Sequence, residues 1–254
     1  MNKNFYVDKL NVIKIDDRTE MGIAAAKETA ELIRKILLKK EDVNIIFASS
    51  PYLLDVYKAM IDEKIEWNRV NAFHMDEYVG VSIEHKASFA NFLRNNLLGK
   101  VPVKNAFYMD GLNDPEDECK RYTKLLDQYP VDITMLGIGT NGHLAFNDPY
   151  LADFFDDEAV KINPDMDDEC RRQQIVDGWF AAVEEMPKAS ITITIPAMLK
   201  APYTITVVPG VAKKEIIKKT LEGPIGLDVP ATSLRLHRNA KLYIDAASSA
   251  DLVI

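Results

Sequence analysis

Short apolar runs alternate along this chain with longer stretches in which apolar residues recur every three or four positions. The runs cover residues 12–15, 43–47, 70–75, 106–109, 133–136, 190–195, 203–208 and 242–244. Uninterrupted apolar runs of this length read as strands buried on both faces. Residues 190–195 alternate apolar side chains with threonine, which also reads as a strand. Between the runs, residues 18–40 carry Met21, Ile23, Ala24, Ala26, Ala30, Ile33, Ile36 and Leu37 on one helical stripe, with charges elsewhere. Residues 52–61, 85–98 and 115–126 read as further helices. A polar helical segment starts at Cys170, and a basic helix carries Lys213, Lys214, Lys218 and Lys219. Strands that alternate with helices of ten or more residues predict an α/β fold: a Rossmann-like, mostly parallel sheet with helices on both faces. No repeat, low-complexity tract or linker divides the chain, so residues 1–254 read as a single domain. Residues 153–168 are strongly acidic and read as a solvated loop.

The chain can build that core unaided, since 47% of its 254 residues are hydrophobic. Its formal net charge of −8 repels phosphate backbones and anionic lipid, so neither nucleic acid nor a membrane is an expected partner. No apolar run approaches a membrane span, and the N-terminal residues carry no apolar core of signal-peptide type. The two cysteines, Cys119 and Cys170, lie far apart with no CxxC spacing. A cytoplasmic protein with reduced thiols is the expectation. No metal-ligand spacing of histidine and cysteine is present.

Chemistry concentrates where predicted strands end. The run at 133–136 feeds Gly137, Gly139 and Gly142, then His143, one of four histidines, and Asp148 five residues on. A buried strand followed by a glycine-rich turn places polar groups at the carboxyl edge of an open sheet, so this turn reads as the floor of an active site. It is not a dinucleotide fingerprint, because the glycines lead into His-Leu-Ala-Phe and not into a helix. The strand at 43–47 runs into Ala48-Ser49-Ser50-Pro51, a helix start with serine at the cap and proline in the first turn. Such a start exposes backbone N–H groups to a phosphate. The strand at 70–75 ends in Asp76 and Glu77, candidates for proton transfer. Lys213 follows the strand at 203–208. In a parallel sheet these groups converge. Lys213, one arginine of the Arg171–Arg172 pair and the serine turn then form an anion pocket, with Asp76 and His143 facing the rest of the substrate and Asp148 orienting the imidazole. A Ser-His-Asp triad is a rival arrangement, but no GxSxG elbow supports it.

Two segments, FHMDEYVGV (73–81, followed by His85 and Ser88) and GIGTNGHLAFNDP (137–149), resemble the glucosamine-6-phosphate deaminase/isomerase family, which is related to the 6-phosphogluconolactonases. The similarity extends to the ASSP turn and the PGVAK helix start. The FNDP ending resembles the deaminase branch and not the Ser-Leu-Phe-Pro type of the lactonases. The resemblance implies conversion of glucosamine 6-phosphate and water to fructose 6-phosphate and ammonia without an organic cofactor. It implies that Asp76 moves the C2 proton to C1, that His143 assists opening of the pyranose ring, and that Asp148 is its partner. Ser49, Ser50, Lys213 and an arginine of the 171–172 pair fall on phosphate-binding positions. Glu77, Gly139 and Gly142 fall within the matched segments. Family members range from monomers to hexamers, which leaves a homo-oligomer open. The chain departs from the family in carrying Asn141 where aspartate is usual and Asp148 where glutamate is usual. Both departures lie in the ring-opening machinery. Lactone hydrolysis and non-catalytic sugar-phosphate binding are the alternatives to a deaminase.

Overall fold

The computed structural model describes residues 2–253. Its main sheet has eight strands: β1 (Lys3–Val7), β2 (Leu10–Lys14), β3 (Val43–Phe47), β4 (Val70–His74), β6 (Asn105–Phe107), β7 (Ile133–Leu136), β10 (Tyr203–Val208) and β11 (Ala240–Ile244). Their order is β1-β2-β11-β10-β7-β3-β4-β6. All neighbours run parallel except the β1–β2 pair. From β3 the chain proceeds outward through β4 to β6, whereas from β7 it proceeds the other way through β10 to β11. The crevice between β3 and β7 is therefore the topological switch point, where open α/β sheets bind ligands at the carboxyl ends of the strands.

Burial explains which runs became central. Every residue of β3, β4 and β7 is buried, as the continuous apolar runs require. The helix α1 (Arg18–Leu37) buries Met21, Ala25, Ala26, Ile33 and Leu37 and starts at Asp17, whose side chain accepts from Glu20 N. It lies against β3, β10 and β11 and against α2 (Leu54–Asp62). The helices α4 (Pro115–Gln128) and α7 (Lys214–Glu222) occupy the predicted helical stretches.

Three expectations need correction. The alternating strand β9 (Ser190–Ile193) does not join the main sheet. It is the centre of a second, antiparallel sheet between β5 (Asp76–Tyr78) and β8 (Val160–Asn163). Residues 70–78 thus form two strands in two sheets, joined through Met75 alone, whose carbonyl accepts from Ile193 N at 2.8 Å. The acidic 153–168 stretch is not wholly a solvated loop, because β8 lies within it and buries Val160 and Asn163. The helix expected at 85–98 begins only after Ser88, whose hydroxyl caps α3 (Phe89–Leu93), and it continues as a π-helical turn, Arg94–Leu98. A backbone turn from Ser88 N to His85 O occupies the residues before the cap. Among the described residues, no helix is long and apolar enough to cross a membrane.

Candidate active site

The carboxyl ends of β3, β4, β7 and β10 open onto one cleft. Ser49, Ser50, Asp76, Gly139, His143 and Lys213 all line it. Four segments distant in sequence meet here for the reason the strand pattern implied: parallel strands all present their last residues to the same edge.

Lys213 stands at the end of the turn Val211–Lys213 that follows β10, and it is only 2% exposed. Its Nζ lies 4.8 Å from the centroid of the Tyr52 ring. Among the described residues no carboxylate lies within ion-pair distance of it. Burial lowers its pKa to about 8, opposed by the more distant Asp177 carboxylate. A buried cation without a partner is costly, and an arriving anion removes that cost. The serine turn supplies donors beside it. Ser50 Oγ accepts from Tyr52 N at 3.3 Å, which leaves its own proton free, and Ser49 Oγ donates to Phe89 O at 3.1 Å.

Asp76 heads β5 at the seam between the two sheets. Burial, and then the neighbouring Glu77 carboxylate, hold its carboxyl well above the usual range. A carboxylate so placed is a stronger base than one in water. Glu77 itself faces away from the cleft. It accepts hydrogen bonds from Ser88 Oγ (2.7 Å), Tyr78 N (3.0 Å), Ala90 N (3.1 Å) and Phe89 N (3.2 Å). Burial pushes its pKa up to about 7 despite these four donors. Its position corrects the expectation of a ligand contact: Glu77 anchors the start of α3 behind Asp76.

The glycine turn holds the imidazole. Gly139 N donates to His143 O at 3.0 Å and Gly142 N to Gly139 O at 3.0 Å. The His143 ring packs on Gly139 so closely that a Cβ there would stand 2.2 Å from Nε2 and Cε1. Gly142, at φ +88°, would bring a Cβ within 2.9 Å of Val229. It shapes the turn without lining the cleft. Gly139→Ala is therefore expected to displace the imidazole and lower kcat about 100-fold while the chain stays folded, as steady-state kinetics and a thermal melt of the same sample will show.

Asp148 is fully buried behind the histidine, with Oδ1 3.4 Å from His143 Nδ1. Burial opposes its ionisation. The imidazole, Asp167 N and the Asn141 amide outweigh that effect and keep its pKa below the usual value. Asn163 Nδ2 and Asp167 N each donate to Oδ2 at 3.0 Å. Asn141 lies between these groups and does not face the cleft. Its Oδ1 accepts from His143 N at 3.0 Å, and its Nδ2 donates to Asp148 Oδ1 at 3.0 Å and approaches Asp167 Oδ1 at 3.4 Å. An aspartate here would lose both donations and add a third carboxylate to the cluster. Asn141→Asp is expected to cost about 1–3 kcal/mol near neutral pH. Two carboxylates sharing a site raise a folded-state pKa, and such a group's stability is present at low pH and lost as pH rises. Melting temperatures across pH should show the deficit closing on acidification.

Neither arginine of the predicted pair reaches the cleft. In α5 (Asp168–Val176) Arg171 packs away from the cleft with its side chain mostly buried, its Nη1 3.9 Å from Asp165 and its Nη2 3.5 Å from Val183 O, and Arg172 is exposed. The opposite face of the same segment brings Gln173, Gln174 and Asp177 over the cleft, followed by Trp179. This face is tied down by Gln173 Oε1 accepting from Thr140 N at 2.8 Å and by Tyr52 Oη donating to Asp177 at 3.0 Å. Trp179 closes the edge against Phe89, with ring centroids 5.0 Å apart. Sequence reasoning missed this cover, although Cys170, Gln173, Gln174 and Asp177 fall at the three- and four-residue spacing of one helical face.

The open α/β sheet thus holds a buried cation, a buried carboxylate and an imidazole around its switch point. The chain belongs to the family described as glucosamine-6-phosphate isomerases/6-phosphogluconolactonase, whose model matches residues 16–244. A glucosamine-6-phosphate deaminase of Lacticaseibacillus paracasei is 32% identical over 248 residues, covering 96% of this chain and 99% of that one. One of Streptococcus pyogenes is 29% identical over 248 residues, covering 96% and 100%. Among solved structures, a monomeric glucosamine-6-phosphate deaminase superposes with a TM-score of 0.86 at 27% identity, covering 94% of this chain and 98% of that one. A 6-phosphogluconolactonase of Thermotoga maritima shares the fold at a TM-score of 0.77 and 19% identity, covering 93% and 100%.

Proposed function

We propose that this chain acts as one sugar-phosphate isomerase/deaminase-like domain that converts glucosamine 6-phosphate and water to fructose 6-phosphate and ammonia. The observation that carries the reading is the shared cleft: Asp76 and His143 line the same cavity as Lys213 and the serine turn. The phosphate is held by Lys213 Nζ and the Ser50 hydroxyl. His143 moves the proton between the ring oxygen and the C1 hydroxyl as the pyranose opens, with Asp148 behind it to orient the ring and stabilise imidazolium. Asp76 removes the C2 proton to give an enolamine and returns it at C1. Water then adds at C2 and ammonia leaves, which balances the reaction with no group other than these side chains.

The higher identity of the deaminases, 27–32% against 19% for the lactonase structure, supports this reading over lactone hydrolysis. The test is a panel of glucosamine 6-phosphate, galactosamine 6-phosphate and 6-phosphogluconolactone, scored for ammonia, ketose phosphate and acid. Ammonia and fructose 6-phosphate in equal amounts from the first substrate are expected. Acid from the lactone with no ammonia from either amino sugar would overturn the proposal, as would tight binding without turnover.

A further inference from the structure

We propose that His143, Asp148 and Cys170 form an inhibitory binding site for a thiophilic divalent cation of the Zn2+ class. One donor atom from each residue lies within 4.8 Å of the others, and all three residues are buried. The grouping is invisible in the sequence, because the cysteine is brought by α5 to the back of the glycine turn. The donors around a tetrahedral zinc ion, at bonds of about 2.0–2.3 Å, stand about 3.3–3.8 Å apart. The widest separation must therefore close by about 1 Å, within reach of a cysteine rotation.

Three further observations point to a ligand. His143 Nδ1 is buried, and Asp148 Oδ1 stands 3.4 Å from it, longer than an ordinary hydrogen bond. Asp148 Oδ2 is held by two donors and Oδ1 by the Asn141 amide at 3.0 Å, so the carboxylate presents Oδ1 to the imidazole in a fixed direction. The Cys170 thiol has only a weak contact, from Gln174 Nε2 at 4.0 Å. His143 and Gln174 both line the cleft, which provides the way in. Binding is a substitution. The metal forms bonds to the imidazole nitrogen, a carboxylate oxygen and the sulfur, the Cys170 thiol proton leaves to solvent, and the imidazole proton sits on the other ring nitrogen. A sulfur and an imidazole nitrogen in the donor set select an ion with high affinity for sulfur, so Mg2+ and Ca2+ are excluded. The ion would clamp α5 onto the turn and take the histidine out of proton transfer. Inhibition rests on the function proposed above; binding does not.

Cobalt(II) titrated into the full chain tests the site, because a cobalt–thiolate bond produces a charge-transfer band in the near ultraviolet. One equivalent is expected to bind with that band and with loss of glucosamine 6-phosphate turnover. Cys170→Ser should keep its uninhibited turnover within about twofold, lose the band, and need about 100-fold more metal for half-inhibition. Cys119→Ser should behave like the parent. Absence of the band, its survival in Cys170→Ser, or unchanged inhibition of that variant would overturn the proposal. If the serine variant fails to fold in a melt, Cys170→Ala is read by the same criteria. A parent that shows the band but has no turnover retains the metal site and refutes the catalytic reading. Turnover without the band does the reverse.

Discussion

Replacing Asp76 by Asn is expected to lower turnover of glucosamine 6-phosphate by about 1,000-fold while KM changes by no more than a few-fold. The amide keeps the shape of the carboxylate and its place at the head of β5, but it cannot accept the C2 proton. Binding should survive because the proposed phosphate grip, Lys213 and the serine turn, also lines the cleft and is untouched. Steady-state kinetics separate the two parameters, and exchange of the C2 proton with deuterated solvent, followed by NMR, isolates the step. Exchange at the parental rate in the variant would remove Asp76 from the mechanism. Burial and Glu77 raise the Asp76 pKa, and a base must be ionised to work. The acidic limb of kcat/KM should therefore lie above the range of an ordinary aspartate.

Lys213→Met should raise KM by about 100-fold and leave kcat nearly unchanged, since a charge-assisted contact to phosphate is worth about 1.5–3 kcal/mol. The same substitution should make the free protein more stable, by about 1–3 kcal/mol at pH 7, because it removes a buried cation that lacks a carboxylate partner. Below its folded pKa the lysine is charged and its burial penalty is present in full. Above its unfolded pKa it is neutral in both states and the penalty is gone. The gain should thus fade as pH rises from about 8 towards 10.5. In the parent, KM should climb as pH passes about 8, by up to tenfold per unit, and in the variant this climb should be absent. Parallel measurement of KM and melting temperature distinguishes this outcome from simple damage to the fold, which would lower both affinity and stability. A variant with parental KM would place the phosphate elsewhere.

Most of the fold was legible before any coordinates. Hydrophobic periodicity placed β3 and β10 to the residue, because each is a short, mostly apolar run closely flanked by polar, glycine or proline residues. The convergence of Ser49, Ser50, Asp76, His143 and Lys213 also followed from the order of strands and helices, since parallel connectivity brings carboxyl ends to one edge. Residues that act from behind were harder to read. Glu77 looks like a substrate contact in sequence and turns inward to backbone and side-chain donors, whereas Asp148 stands behind His143 as expected but is also held by Asn163 and Asp167.

The sequence by itself determined the layered α/β architecture, the polar edge at which the cleft forms and the two groups that face each other across it, because each depends on local pattern and chain order. The split of residues 70–78 between two sheets, the placement of Arg171 and Arg172 off the cleft and the meeting of Cys170 with His143 and Asp148 were decided by packing. Both halves of a buried run look alike until strand partners are chosen, and the roll of a polar helix is set by the surface it lands on. The same holds for Asn141, whose two hydrogen-bonding directions acquire meaning only when Asp148 and the His143 backbone stand on either side of it.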